Sequence, residues 1–239
     1  MRKISPAEPV SELRHVRIVE CGEPLVDYLA VCPNLVRAKP VFDYTYVSFA
    51  RESVARRLCA AAKALPKNYR LGVLEGWRPH HIQRRMYLRT WNRFRKLHPD
   101  WSDLQLKRVV NRYTAPLDAR VPPPHSTGGA VDLFLLDKHL NELDMRSPYE
   151  RFDRKSFHTD VEGLSKEAAE NRRVLIEALT EGGMTNYPSE YWHWTYGDQG
   201  WAYRTGAPHA IYGVVSPQGY EPDPRDLTED PVAHVEDRP

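Results

Sequence analysis

The chain has 239 residues, enough to bury one sizeable core, and one domain with decorations fits better than two. Its 41% hydrophobic and 28% charged residues are ordinary for a globular protein, and a net charge of +2 excludes bulk electrostatics as a route to nucleic acid. No apolar run reaches the length of a membrane span, so no membrane insertion is expected.

The start, MRKISPAEPVSELR, carries Arg2 and Lys3 but no apolar region behind them, which predicts no secretory signal and a cytoplasmic location. Residues 1–45 read as irregular, with strand-like pieces at His15–Val19 and, just beyond, Tyr44–Phe49. Helix formers and an apolar stripe (Val54, Leu58, Ala61, Leu65) predict a helix from Ser53 to Leu65, stopped by Pro66. Tyr69–Leu74 alternates like a strand, and Gly76-Trp77-Arg78-Pro79 turns it into a basic helix at about 80–98. In that helix Ile82, Met86, Trp91, Phe94 and Leu97 fall at helical intervals, so Arg84, Arg85, Arg89, Arg93, Arg95 and Lys96 are expected on a solvated face, not on a polyanion-binding one.

A shorter helix follows at 102–113, then a proline-rich loop to Pro124. Ala130–Leu136 (AVDLFLL) reads as the best buried strand, Leu164–Gly182 as a long helix with Gly182-Gly183 as its stop, and Tyr191–Tyr196 as an aromatic strand. After about Val214 the chain turns proline-rich and acidic, which predicts a domain over 1–213 and an extended tail over 214–239. Helices mixed with separated strands, without regular βαβ alternation, favour an α+β fold. Cys21, Cys32 and Cys59 form no metal-type pair, and an odd count at irregular spacing predicts free thiols in a reducing compartment, with Cys59 packed in its helix.

The chemistry concentrates in two short segments, His125-Ser126-Thr127-Gly128-Gly129-Ala130-Val131-Asp132 and Glu190-Tyr191-Trp192-His193. Asp132 interrupts an apolar strand, and a buried unpaired carboxylate costs several kcal/mol, on the order of one lost ion pair, so it needs a cation, a proton or strong donors. A metal or a salt bridge to an arginine both satisfy that need. His125 stands seven residues away, on the opposite face of an unbroken strand, but the intervening Ser-Thr-Gly-Gly bends readily and can bring both side chains to one point. Glu190 and His193 are also at odd separation and converge only if Glu190 lies on the loop after Pro188-Ser189 and His193 on the next strand.

Two histidines and an aspartate are a three-ligand set that leaves a fourth position open on a catalytic zinc, and Glu190 is then spare as a general base for water. The aromatic neighbours Tyr191, Trp192 and Trp194 lower the local dielectric and raise a carboxyl pKa. A cation fixed at Arg78, between a strand and a helix, can face a developing oxyanion, although an arginine before a proline is by itself unremarkable. The helical HExxH pattern of many zinc proteases is absent. These residues read as a metallohydrolase.

The segments GWRP, HSTGGAVD, LDM…SPYE, ENRR and EYWHW, in that order, resemble the D-alanyl-D-alanine dipeptidases, a zinc peptidase family that includes the vancomycin-resistance dipeptidases and is related to zinc D-Ala-D-Ala carboxypeptidases and the Hedgehog domain. The resemblance runs from roughly Glu20 to Tyr212. It implies a mainly antiparallel central sheet flanked by helices with the zinc site at the sheet, His125, Asp132 and His193 as zinc ligands, Glu190 as base and Arg78 as stabiliser of the tetrahedral intermediate. The implied substrate is a small D,D-dipeptide, cleaved to D-alanine.

The sequence departs from the resistance-type pattern in two places. Pro123 and Pro124 stand where serines precede the first histidine, and the Phe-Asp pair that holds the substrate ammonium appears as Tyr149-Glu150 or, with a shifted alignment, as Phe152-Asp153. Both changes touch substrate recognition, so Glu150 and then Asp153 are the expected ammonium partners. Two alternatives stand beside the dipeptidase: a broader peptidoglycan-peptide carboxypeptidase, and a non-catalytic zinc-containing binding module.

Overall fold

The strand predicted at AVDLFLL is the middle of the protein. In the computed structural model, which describes residues 8–116, 120–150 and 153–235, the elements in chain order are α1 (Val10–Leu13), β1 (Leu25–Asp27), α2 (Tyr28–Val31), β2 (Leu35–Arg37), β3 (Phe49–Arg51), α3 (Glu52–Ala64), β4 (Tyr69–Glu75), α4 (His80–Leu97), α5 (Asp103–Val110), β5 (Ala130–Asp137), α6 (Lys166–Glu181), β6 (Thr185–Asn186), β7 (His193–Thr195) and α7 (Gln199–Thr205). A five-stranded sheet runs in the order β2-β4-β5-β7-β6, and β1 with β3 forms a separate ribbon. The pair β2–β4 is parallel and the others are antiparallel, so the α+β sheet is mixed, with its parallel pair at one edge. That edge follows from the crossover through β3 and α3, since parallel neighbours cannot be joined by a tight hairpin.

Alternation along β5 divides its side chains. Val131, Leu133 and Leu135 join Leu71 and Val73 of β4 and Trp194 of β7 in a core closed by Val54, Leu58 and Ala61 of α3 and Leu175, Ala178 and Leu179 of α6. Asp132, Phe134 and Leu136 point the other way and line a cavity. The helices expected at 53–65, 80–98, 102–113 and 164–182 lie within a few residues of those bounds. Ser102 with Gln105 forms a capping box on α5, and the Ser165 hydroxyl accepts from the Ala168 N–H to start α6.

Two short strands differ from expectation. His15–Val19 contributes only a bridge from Ile18 to Ala210, and the strand expected at Tyr44–Phe49 starts at Phe49. Residues 44–46 bond elsewhere: Tyr44 donates to Glu75, and the Thr45 N–H donates to Asp226 at 2.9 Å.

Over its described residues, 214–235, the acidic tail holds one short 3₁₀ turn at Pro224–Asp226 and is packed against the body of the protein. Asp226 meets Arg85 of α4 at 3.2 Å with both side chains buried, Glu229 meets Arg84 at 2.7 Å, and Arg89 donates to the Val232 carbonyl. Val232 is fully buried against Ile82 and Met86. Part of the basic face expected in solvent is therefore covered by the chain's own acids.

The expectation of free thiols is corrected for two of the three cysteines. Cys32 and Cys59 form a disulfide, because packing of α2 on α3 brings their Cα atoms to 5.4 Å, a separation that 27 residues of intervening sequence do not reveal. Cys21 is free and exposed. Denatured, unreduced protein should therefore titrate one thiol and reduced protein three, and reduction should lower stability by about 2–4 kcal/mol. Three reactive thiols without reductant would remove the bond.

Candidate metal centre

The site is built on one row of the sheet. Asp132 pairs across β4–β5 with Glu75 and across β5–β7 with His193, so the three side chains stand side by side on the cavity face. Plain alternation from Leu71 and Val73 would send Glu75 into the core. A register shift between Val73 and Glu75 turns it to the cavity instead.

His125 arrives from outside the sheet. It sits in a 3₁₀ turn, Pro124–Thr127, closed by Gly128 at φ +71°, a left-handed conformation that favours glycine. Its Nδ1 lies 2.8 Å from the Gly76 carbonyl, and the Arg78 N–H donates back to the His125 carbonyl at 3.1 Å. Gly76 has no room for a side chain, since a Cβ would strike the Phe49 carbonyl. A carbonyl only accepts, so Nδ1 carries the proton and Nε2 is left as a bare donor atom for a metal.

His125, Asp132 and His193 each offer one ligand atom, and these atoms lie within 4.8 Å of one another. Asp132 Oδ1 is 3.4 Å from His125 Nε2 and 2.9 Å from His193 Nδ1. Burial works to raise the Asp132 carboxyl, but the two imidazoles outweigh it and hold the group well below the usual range. Burial likewise disfavours charge on His193, and the bond to Asp132 reverses the direction and raises it. Two nitrogens and one carboxylate oxygen, all buried and open to a cavity on one side, fit a borderline metal with a free position.

Glu190 sits on the loop before β7, as the spacing required. Its N–H donates to the Tyr187 carbonyl at 2.9 Å and its carbonyl accepts from the His193 N–H at 3.1 Å. The Asn186 amide ties this loop together, donating to the carbonyls of Glu190, Tyr191 and His193. Burial pushes the Glu190 carboxyl up to about 7, with His193 pulling in the other direction. Arg78 is held at two points: its Nε donates to Glu75 Oε1 at 2.6 Å and its Nη1 to Gln83 Oε1 at 2.6 Å. Burial opposes its charge, but Glu75 outweighs that and raises its pKa.

All five residues line one cavity of about 1580 Å³. Five expected site residues thus come together. Glu150 and Asp153 do not join them. Glu150 is exposed, the Asp153 carboxylate caps the turn at Lys155, and neither lines the cavity. Their pairing with the preceding aromatic residue does not aim them inward, because Tyr149 is tied to the Glu162 carbonyl; Phe152 lies outside the described residues. The sequence reading also missed Glu75, Gln83 and Asn186 as supports. A carboxylate closing an apolar strand three residues before Arg78 is the one signal for Glu75, and its turn toward the cavity depends on the bulge.

The profile of the D-Ala-D-Ala dipeptidase peptidases matches residues 30–211. The chain belongs to this family of peptidases. A D-alanyl-D-alanine dipeptidase of Synechocystis is 26% identical over 87% of this chain and 98% of its own length. Dipeptidases of the same name from Escherichia coli and Enterococcus faecium are each 36% identical, over 32% and 31% of this chain and 39% and 37% of theirs. The LdcB LD-carboxypeptidase superposes with a TM-score of 0.37 at 16% identity, covering 76% of this chain and 71% of that one, too distant to bear on the site. Among the described residues no helix is long and apolar enough to cross a membrane.

Proposed function

We propose that this chain is a zinc-dependent dipeptidase that hydrolyses D-alanyl-D-alanine to D-alanine. The observation that carries the reading is the convergence of His125, Asp132 and His193 on one point, with Glu190 and Arg78 facing the same cavity. His125, Asp132 and His193 would hold the zinc, which when bound supplies a Lewis acid and acidifies water. Glu190 takes the proton from the attacking water and delivers it to the leaving amine. Burial pushes its carboxyl up to about 7 before a metal is bound, which makes it a stronger proton acceptor than a surface glutamate. Arg78, pinned by Glu75 and Gln83, presents its remaining N–H groups to the developing oxyanion at little reorganisation cost.

A non-catalytic zinc module fits less well, because a structural metal needs neither Glu190 nor Arg78. A broader carboxypeptidase has one observation in its favour: the cavity exceeds the roughly 300–1,000 Å³ of most small-ligand sites. A panel of D,D-, L,D- and L,L-dipeptides with N-acetyl-D-Ala-D-Ala, assayed on zinc-loaded protein, separates the readings. Acetylation should cost at least about tenfold in kcat/KM, the worth of one charge-assisted hydrogen bond from a free ammonium. Equal cleavage of free and acetylated peptide favours the carboxypeptidase. Glu150 stays the sequence-based candidate for the ammonium, and Glu150→Gln should narrow the gap if that side chain closes over bound substrate. The cytoplasmic location expected from the sequence rested partly on free thiols. The Cys32–Cys59 bond weakens it, since structural disulfides persist chiefly in oxidising compartments.

A further inference from the structure

Besides Arg78, a second arginine side chain at this cavity is almost wholly buried. Arg204 of α7 lines it and is held on two sides: its Nε and Nη2 donate to Thr185 Oγ1 at 3.2 and 2.9 Å, and its Nη2 donates to Thr195 Oγ1. Thr195 lies two residues beyond His193 on β7, so both side chains stand on the same face of the sheet and the guanidinium sits one step along the strand from the metal centre. Two threonine hydroxyls fix the orientation of the fork and neutralise none of its charge. That charge is met by Glu8, which reaches in from the N-terminal segment and pairs with Nη1, both side chains almost wholly buried.

Tyr187, whose ring centroid is 6.0 Å from that of His193, lines the same cavity as Glu8 and Arg204. Glu8 is not comfortable there. Its backbone is at φ +35°, uncommon for a side-chain-bearing residue, and burial and the charge of Asp198 both work against its ionised form. Asp198 itself is 2% exposed and has no hydrogen-bond partner on Oδ2.

We propose that Arg204 is the receptor for the substrate's terminal carboxylate and that Glu8 is an internal stand-in for it, displaced when substrate binds. The inference rests on the dipeptidase reading. An Arg–carboxylate fork is the geometry by which such a group is recognised, and the anion now in the fork is a carboxylate tethered to the chain. A terminal α-carboxyl is the stronger acid, at about 3.3–3.7 against about 4.3 for glutamate, and burial works to raise Glu8 further, so the substrate carboxylate is the better anion for the fork. The described segment from Glu8 into α1 then acts as a plug with a built-in anion, and substrate exchanges one carboxylate for another without leaving Arg204 unpaired in the cavity.

The test compares D-Ala-D-Ala with its C-terminal amide on zinc-loaded protein. The wild type should prefer the free acid by at least about tenfold, Glu8→Gln should lower KM for the acid about fivefold with kcat unchanged, and Arg204→Gln should bring acid and amide within about twofold of each other. An unchanged or raised KM in Glu8→Gln, or a full acid preference in Arg204→Gln, overturns the proposal. Because Arg204→Gln also removes bonds to Thr185 and Thr195, a second readout avoids it: hydrogen exchange at Val10–Val16 in the inactive Glu190→Gln protein should rise with the acid dipeptide and not with the amide. No change there overturns the displacement. Wild type that cleaves no dipeptide while the exchange responds as stated sinks the dipeptidase reading and leaves the carboxylate receptor standing.

Discussion

Protein carrying His193→Ala should hold almost no zinc and show no turnover above background. The triad offers three ligand atoms, and no fourth His, Cys, Asp or Glu among the described residues joins them to compensate for a loss. Removing His193 also takes away the imidazole that partners Asp132 Oδ1 at 2.9 Å, which leaves a buried carboxylate with His125 alone. Wild-type protein should bind about one zinc per chain, and His125→Ala and Asp132→Asn should lose it as His193→Ala does, each with at least a hundredfold weaker affinity, on the order of or beyond what outer-shell changes alone cost. Metal analysis after dialysis reads the occupancy directly, and the far-ultraviolet spectrum checks that the sheet survives. Full occupancy in both histidine variants would remove these residues as ligands.

Much of this centre was legible because polar residues stood where the local pattern forbids them. Asp132 breaks an apolar strand, and turn-forming residues beside His125 undo an otherwise fatal difference in parity. Glu190 and His193 carried the same parity problem, and the loop-then-strand arrangement that solves it is the one the chain adopts. Glu75 escaped notice because its orientation depends on a bulge, and a bulge has no period to read. The Cys32–Cys59 bond and the tail's grip on α4 were hidden for a related reason: both depend on which distant surfaces meet, and local propensity is silent on that. Glu150 and Asp153 were inferred by position after an aromatic residue, and position along the chain does not settle whether a loop side chain turns inward.

Glu190→Gln should separate binding from chemistry. The change keeps size and shape, so the triad and its zinc stay in place, but an amide cannot take a proton from water. General-base catalysis typically contributes about 10²–10⁴-fold, and kcat should fall by that order while metal content and KM persist. The direction of the carboxyl's pKa supports the assignment. A group pushed up to about 7 by burial is a stronger base than a surface glutamate, and a divalent ion in the neighbouring triad draws it down again, so the ionised base is available at neutral pH. Gln would relieve the burial penalty of a charged group, so the variant should be at least as stable as the wild type, which rules out unfolding as the cause of lost turnover. Wild-type kcat in a stable, zinc-loaded Glu190→Gln protein would make Glu190 structural and leave the water without its base.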